Sequence, residues 1–445
     1  MKSYDVIVIG GGPAGIITAM TSKTYYPDKS VLLIRREKNV LVPCGIPYTM
    51  STITIEKNYI PDAGLSGKSI DILVTEVMSI DSNAKKISVK DEEIKYDRLV
   101  FATGSRPLEP SWLKGKEKKN VFYIEKSEDY LNAMKSEITG KKKIVIIGAG
   151  FIGVEVADEL NKEKHSVTLI EKLPHVLALA IDHDFSCNLD EKLKSRGINL
   201  MLGESVKEIA GGDKVKSVIL ESGKSIDADI VIIAVGYSPN TALAKSSGVL
   251  VGVKGAIWVD EYMRTSVKDI FAVGDCSEKK SFITRKLSNI MLASTATSEA
   301  RIAGANLFKL QVLRTFTGTI GIFSTRVGES ALGSAGLTES QAVEENFDVI
   351  SGTFETKDRH PGTLPDSSTI KVKLIASRLS GIIIGGQVSG GESAGEMINI
   401  TGLMIQKKVS VYELMIMQIG THPLLTAAPT VYPLVKAAEQ IISKL

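Results

Sequence analysis

A strand–glycine–helix signature that occurs twice sets the strongest constraint on how this 445-residue chain folds. Residues 4–15 carry a β-branched strand, Tyr4–Ile9, that runs into Gly10-x-Gly12-x-x-Gly15 and then into small and apolar residues of helical character. Gly10 permits the tight turn, Gly12 lets the backbone approach a pyrophosphate, and Gly15 lets helix and strand pack closely. The helix that opens at Pro13 and Ala14 offers free N–H groups and positive potential to phosphates. Residues 144–153 repeat the pattern, with Gly148, Gly150 and Gly153 after a second buried strand and Phe151 and Ile152 inside the loop. One such match is weak, because glycine-rich turns are common. Two of them point to two dinucleotide-binding units.

The two units differ at the ribose. After the second loop the strand Val167–Ile170 ends in Glu171, about 20 residues beyond the glycines, where an acid takes the ribose hydroxyls and repels a 2′-phosphate. NADH is therefore expected over NADPH. After the first loop the corresponding strand, Ser30–Ile34, ends in Arg35 instead. Either Glu37 reaches the ribose, or Arg35 and Arg36 lie along the adenine and phosphates.

Composition narrows the class. The chain is 43% hydrophobic and 24% charged with a net charge of +3, an ordinary globular balance with no nucleic-acid surface. The N-terminus enters a strand without a signal-peptide layout, and no apolar run approaches the roughly 18 residues of a membrane span. A cytoplasmic location is expected. Three cysteines, Cys44, Cys187 and Cys276, exclude a disulfide framework and any Cys-x-x-Cys pair.

Two further segments complete a pattern. Phe101-Ala102-Thr103-Gly104-Ser105-Arg106-Pro107 follows a strand, Arg98–Phe101, and Ile270-Phe271-Ala272-Val273-Gly274-Asp275-Cys276 is a strand that ends on Gly-Asp. With the glycine loops, in this order, they resemble the flavoprotein pyridine nucleotide-disulfide oxidoreductase superfamily over essentially the whole chain. The resemblance implies an α/β fold: two Rossmann-like domains, for FAD and NAD, and a C-terminal α+β dimerisation domain. The expected boundaries are 1–118 and 246–322 for the FAD domain, 119–245 for the NAD domain and 323–445 for the interface domain. It implies that Ala102, Thr103 and Gly104 join the FAD and NAD domains and that Gly274 and Asp275 hold the flavin's ribityl and phosphate region. The segment around Gly236 leaves the NAD domain. Phe151 is implied as the aromatic gate where nicotinamide stacks, with Glu155 beside the nicotinamide amide. A homodimer with a shared active site follows, built on Ser334–Glu339, the strands Ile370–Ile375 and Gly381–Gly385, and a helix near Ser393–Gln406.

Cys44 lies in Val42-Pro43-Cys44-Gly45-Ile46-Pro47-Tyr48, the stretch that holds this family's redox cysteine. Pro47 suits the first turn of a helix, and a cysteine just before a helix N-terminus is expected to have a lowered pKa. Positions 39 and 49 are Asn39 and Thr49, so no partner cysteine is available. That points to the single-cysteine branch: coenzyme A disulfide reductases, persulfide or polysulfide reductases, NADH oxidases and NADH peroxidases. The oxidases and peroxidases typically carry a histidine in the first glycine loop, where this chain has Pro13. The expected function is an NADH-preferring, FAD-dependent reduction, through Cys44, of a small disulfide, persulfide or polysulfide, with coenzyme A a candidate substrate or mixed-disulfide partner. The alternatives are an NADH oxidase or peroxidase and, in another class, a flavin-dependent redox sensor or scaffold.

The remaining candidates stay open. His422, in Thr421-His422-Pro423, matches the His-Pro segment that crosses the dimer in two-cysteine relatives, but Ala427 stands where its glutamate partner belongs; an interface role is the alternative. Tyr432 is the nearest counterpart of the tyrosines in coenzyme A disulfide reductases. His360 either touches an anionic substrate or shapes a turn, and Lys23 and Lys29 are candidates for coenzyme A phosphates. Cys187 and Cys276 are expected to be structural. His165, His175 and His183 show no metal-ligand spacing, and no metal is expected.

Overall fold

The computed structural model describes residues 1–90, 92–310 and 315–445; residues 311–314, within the segment 246–322 expected to complete the FAD domain, lie outside them. Five parallel strands form the first sheet's core in the order Asp71–Val74, Val31–Arg35, Lys2–Ile9, Glu93–Phe101 and Ile270–Ala272. The sheet is buried on both faces. Ile7, Ile9, Leu32, Ile34 and Phe101 pack on one side, and Val6, Val8, Val31, Leu33 and Val100 on the other. Parallel strands covered twice need near-continuous apolar sequence, which is why these segments do not alternate.

The second sheet repeats the plan, with Asn199–Leu202, Ser166–Glu171, Lys143–Ile147, Ile230–Ile233 and Val121–Tyr123 side by side and parallel. Strand order reverses beside the first strand of each sheet, and the crevice outside such a switch point is where α/β folds bind ligands. The fold class read from the sequence is the one observed.

The C-terminal domain is a five-stranded antiparallel sheet in the order Phe323–Val327, Ser330–Gly336, Ile383–Gly390, Thr369–Ser377 and Val349–Lys357. The helices Ser393–Lys407 and Pro433–Ile442 pack on it. The strand expected at 381–385 runs instead from Ile383 to Gly390, because its glycines pair closely with the neighbouring strands. Buried Asp182 ties this domain to the second one: it pairs with Lys373 at 3.0 Å and accepts from Gln387 at 2.6 Å.

Candidate active site

A continuous cavity of about 2150 Å³ runs from the first glycine loop to the second. Single-ligand pockets span about 300–1,000 Å³, so this volume suits two dinucleotides end to end. Gly10, Gly12, Pro13, Ala14, Arg35, Arg36, Cys44, Ala102, Thr103, Gly104, Gly274 and Asp275 line one arm. Gly148, Gly150, Phe151, Ile152, Glu155, Glu171 and Gly236 line the other. Gly15 and Gly153 stay outside it, as helix–strand spacers.

The first loop fits a pyrophosphate. Gly10 adopts φ +120°, and a Cβ on Gly15 would lie 1.9 Å from the Gly10 carbonyl oxygen. A Cβ on Gly12 would meet nothing within 4 Å, because that side faces the open cavity. The helix Pro13–Tyr25 starts there without a side-chain cap, leaving its first N–H groups for an anion. The second loop matches: a Cβ on Gly153 would lie 1.9 Å from the Gly148 carbonyl oxygen, and one on Gly150 would meet open space. Glu171 accepts from the Ala149 N–H at 2.7 Å and the Leu173 N–H at 3.0 Å, which fixes its carboxylate beside the second glycine loop.

Asp275 is oriented by Ser105, which donates at 2.7 Å, and by Lys126 at 3.3 Å. Burial alone would raise its pKa, but Lys126 and Ser105 outweigh it and hold the carboxyl below the usual range. The turn before it is clamped by a buried ion pair. Glu299 accepts from the Gly274 N–H at 2.7 Å, and Lys279, 3.5 Å from Glu299, donates to the Gly274 carbonyl.

Arg35 departs from expectation. Its guanidinium forms a fork on Asp62, with two contacts of 2.6 Å, and donates to the Lys38 carbonyl, so it is spent inside the protein rather than offered to phosphate. Its stem lies under Gly11, where a Cβ would come within 2.7 Å. Arg36 is exposed and pairs loosely with Glu37 at 3.5 Å and Glu76 at 3.9 Å, so it is not tied into the core as Arg35 is.

Cys44 sits in a three-residue turn, Pro43–Gly45, followed by a second short 3₁₀ turn, Pro47–Met50. No long helix begins beside it, which corrects the expectation of a dipole-lowered pKa. Its surface opens to the cavity, yet the thiol sits between protein walls. Burial pushes its pKa up, Glu155 and Asp275 push further, and Lys126 opposes them.

Glu155 and Phe151 lie one helical turn apart, and a strand of the C-terminal domain meets both. Phe323 stacks on Phe151 with ring centroids 5.0 Å apart and 9° between planes, and the Thr325 hydroxyl donates to Glu155 at 2.8 Å. A strand offers every second residue to one face, and a helix every fourth, so the two pairs form together. Burial raises the Glu155 pKa to about 7, with the Thr325 bond opposing and Glu159 adding. Tyr48 also lines the cavity; burial, then Glu155, Glu159 and Asp158, push its phenol up, so it stays protonated at neutral pH. Phe323, Thr325, Tyr48, Lys126 and the Lys279–Glu299 pair escaped the sequence reading. Only Tyr48, four residues after Cys44, left a local signal.

Other candidates fall elsewhere. His422 is exposed, its Nδ1 accepting from the Leu424 N–H at 3.2 Å, and lies outside the cavity of its own chain. Tyr432 is buried in the C-terminal core, also away from the cavity. His360 braces the 421–427 segment: its N–H donates to the Pro423 carbonyl and its ring to that of Thr426. Lys29 is paired with Asp5 at 2.7 Å and Lys23 donates to the Pro27 and Lys29 carbonyls, so neither is set for coenzyme A. Cys276 is fully buried, as expected. His175 and His183, expected to show no metal-ligand spacing, and Cys187, expected to be structural, converge with all ligand atoms within 4.8 Å of one another.

Residues 4–300 match the family described as pyridine nucleotide-disulphide oxidoreductase, and residues 322–431 match its dimerisation domain. The chain belongs to this family. It is 34% identical to an NADH oxidase of Methanocaldococcus jannaschii over 453 aligned positions, 99% of each chain. It is 33% identical to a CoA-dependent NAD(P)H sulfur oxidoreductase of Pyrococcus abyssi, over 87% of each. The fold superposes on an NAD-dependent persulfide reductase from A. fulgidus with a TM-score of 0.90 and 30% identity, covering 99% of this chain and 83% of that one. Membership makes the chain an FAD- and pyridine-nucleotide-dependent oxidoreductase. FAD fits the arm that carries Gly12, Asp275 and Cys44, and the nicotinamide nucleotide fits the arm that carries Gly150 and Glu171. Among the described residues no helix is long and apolar enough to cross a membrane.

Proposed function

We propose that this oxidoreductase uses NADH to reduce a small disulfide, persulfide or polysulfide, with Cys44 as its single working thiol. One observation carries the reading: among the described residues, Cys44 is the only cysteine that lines the cavity, and no histidine of the same chain lines it. A lone thiol without a protein partner either forms a mixed disulfide with a substrate sulfur or holds an oxygen as a sulfenic acid, and a cavity without a histidine beside the sulfur favours the first. Bound FAD supplies the relay that moves an electron pair from NADH to sulfur. The Cys44 thiolate attacks the substrate S–S bond and expels one thiol, leaving a mixed disulfide whose reduction frees the second. Burial raises the Cys44 thiol, and Glu155, which changes charge across the neutral range beside this sulfur, adds to that as it ionises; the protonated Tyr48 phenol offers a hydrogen bond to the departing thiolate, which takes its proton from solvent. The sulfur-reducing relatives support the substrate class; the NADH oxidase relatives make oxygen the competing acceptor.

Glu171, already held by two backbone N–H groups, supports a preference for NADH. A homodimer is favoured by exposed apolar side chains on the C-terminal domain, among them Leu403, Tyr412, Ile416, Leu424 and Leu425. In such a dimer His422 would act on the partner's cavity. Three free cysteines suit the reducing cytoplasm.

Anaerobic NADH turnover tests the substrate class. Coenzyme A disulfide or polysulfide should support faster turnover than peroxide, and faster than oxygen supplies in air. Rapid turnover with oxygen alone would overturn the proposal.

The Glu155 carboxyl provides a pH test. Its folded pKa of about 7 lies above the ordinary 4.5, so it gains negative charge as pH rises through neutrality and then opposes the Cys44 thiolate. Glu155→Gln should lower the thiol pKa and speed alkylation of Cys44 by iodoacetamide above neutral pH, by about threefold for each half-unit. An unchanged or slower rate would remove Glu155 from control of the thiol.

A further inference from the structure

The helix His183–Ser195 places His183 and Cys187 one turn apart on one face. His175 reaches the same point from the loop that follows Glu171. The His183 Nδ1 lies 2.7 Å from the His175 Nε2, and the Cys187 Sγ lies 3.4 Å from the His183 Nδ1. The other nitrogen of His175, Nδ1, is 2.6 Å from the Asp190 carboxylate, which is almost fully buried and also accepts from the Val176 N–H at 3.1 Å. This partner fixes the tautomer: Nδ1–H donates to Asp190 and the Nε2 lone pair faces His183, while the Cys187 Sγ lies 3.9 Å from the His175 Nδ1. A carboxylate behind a histidine in this manner is the usual outer support of a metal-binding imidazole.

Tetrahedral zinc, with bonds of about 2.0–2.1 Å to nitrogen and 2.3 Å to sulfur, separates its donors by roughly 3.3–3.6 Å. The Cys187 sulfur lies 3.4 Å from the His183 Nδ1, within that range, and the His175 ring needs to turn to bring its Nε2 within the same reach of the sulfur. The two imidazole nitrogens, now 2.7 Å apart, need to open by about 0.6 Å to admit an ion between them. Asp184, Asp190 and Glu191 add negative charge around the sulfur. His183 is exposed, so an ion can enter from solvent, and three protein ligands leave a fourth position for water.

We propose that His175, His183 and Cys187 form a site for a thiophilic divalent ion of the zinc type, which staples the loop Lys172–Asp182 to the helix His183–Ser195. Leu173, Leu177 and Ala180 of that loop line the dinucleotide arm of the cavity. Occupancy therefore stiffens the wall behind the NADH ribose. The staple's effect on NADH rests on the assignment of that arm; ion binding does not.

Cobalt(II) serves as the visible probe on chelator-stripped holoenzyme. One equivalent per chain should bring up tetrahedral d–d bands at wavelengths beyond the flavin absorption, and zinc should abolish them. The bands should vanish in Cys187→Ser and in His183→Ala and persist in Cys44→Ser. Absence of the bands, or bands that survive Cys187→Ser, would overturn the site and leave a hydrogen-bonded histidine pair. Zinc reloading should lower the KM for NADH several-fold in the wild type and not in Cys187→Ser. Cobalt binding with no change in that KM would overturn the staple while leaving the site intact.

Discussion

Cys44→Ser should cut anaerobic NADH-dependent turnover of a disulfide or polysulfide by about a thousandfold or more, the scale of loss when an essential nucleophile is removed. The hydroxyl of serine neither opens an S–S bond nor holds a mixed disulfide. Flavin content and rapid reduction of the flavin by NADH should be retained, because Cys44 occupies a short turn of its own, outside both glycine-loop segments. Steady-state and single-turnover kinetics separate the two outcomes. Turnover within tenfold of wild type would remove the cysteine from the reaction. Substituting the other cysteines makes no equivalent demand, since Cys187 lies outside the cavity and Cys276 is sealed in the core.

The glycine loops give the second large effect, and two positions in one motif should fail differently. In Gly15→Val the new Cβ falls 1.9 Å from the Gly10 backbone oxygen, a clash that only displacement of helix from strand relieves. Overpacking costs about 1–3 kcal/mol in a yielding core, and rigid backbone here yields little. The variant should be largely insoluble. Gly12→Val adds its atoms to open cavity, with nothing within 4 Å, and its extended backbone accepts valine. That protein should fold with wild-type secondary structure but purify with little FAD. A yellow, stoichiometrically loaded Gly12→Val would contradict the assignment of that space to the pyrophosphate.

These loops were legible in the sequence because their demands are local: a tight turn, an open face and a close helix lie within six residues. The place of Glu171 on the cavity wall was legible for the same reason, since strand length fixes where its last residue falls. Arg35 was not, because its role depends on Asp62, which another part of the chain brings to its guanidinium. The same holds for the clamp on Gly274, made by Lys279 and Glu299 from separate elements, and for Phe323 and Thr325, which reach Phe151 and Glu155 across a domain boundary. Pro47 looked like a helix start, yet with Pro43 four residues earlier it yields only short 3₁₀ turns. His183 and Cys187 carried their helical spacing openly. What remained hidden was His175, whose loop conformation is fixed by Asp190.

Intact-mass analysis of Cys44 tests the central claim most directly. Holoenzyme treated with coenzyme A disulfide in the absence of NADH should gain one coenzyme A per chain, attached to Cys44 by peptide mapping and released when NADH is added. Coenzyme A attached only at other cysteines, or an adduct on Cys44 that NADH leaves in place, would contradict a reaction that runs through this thiol.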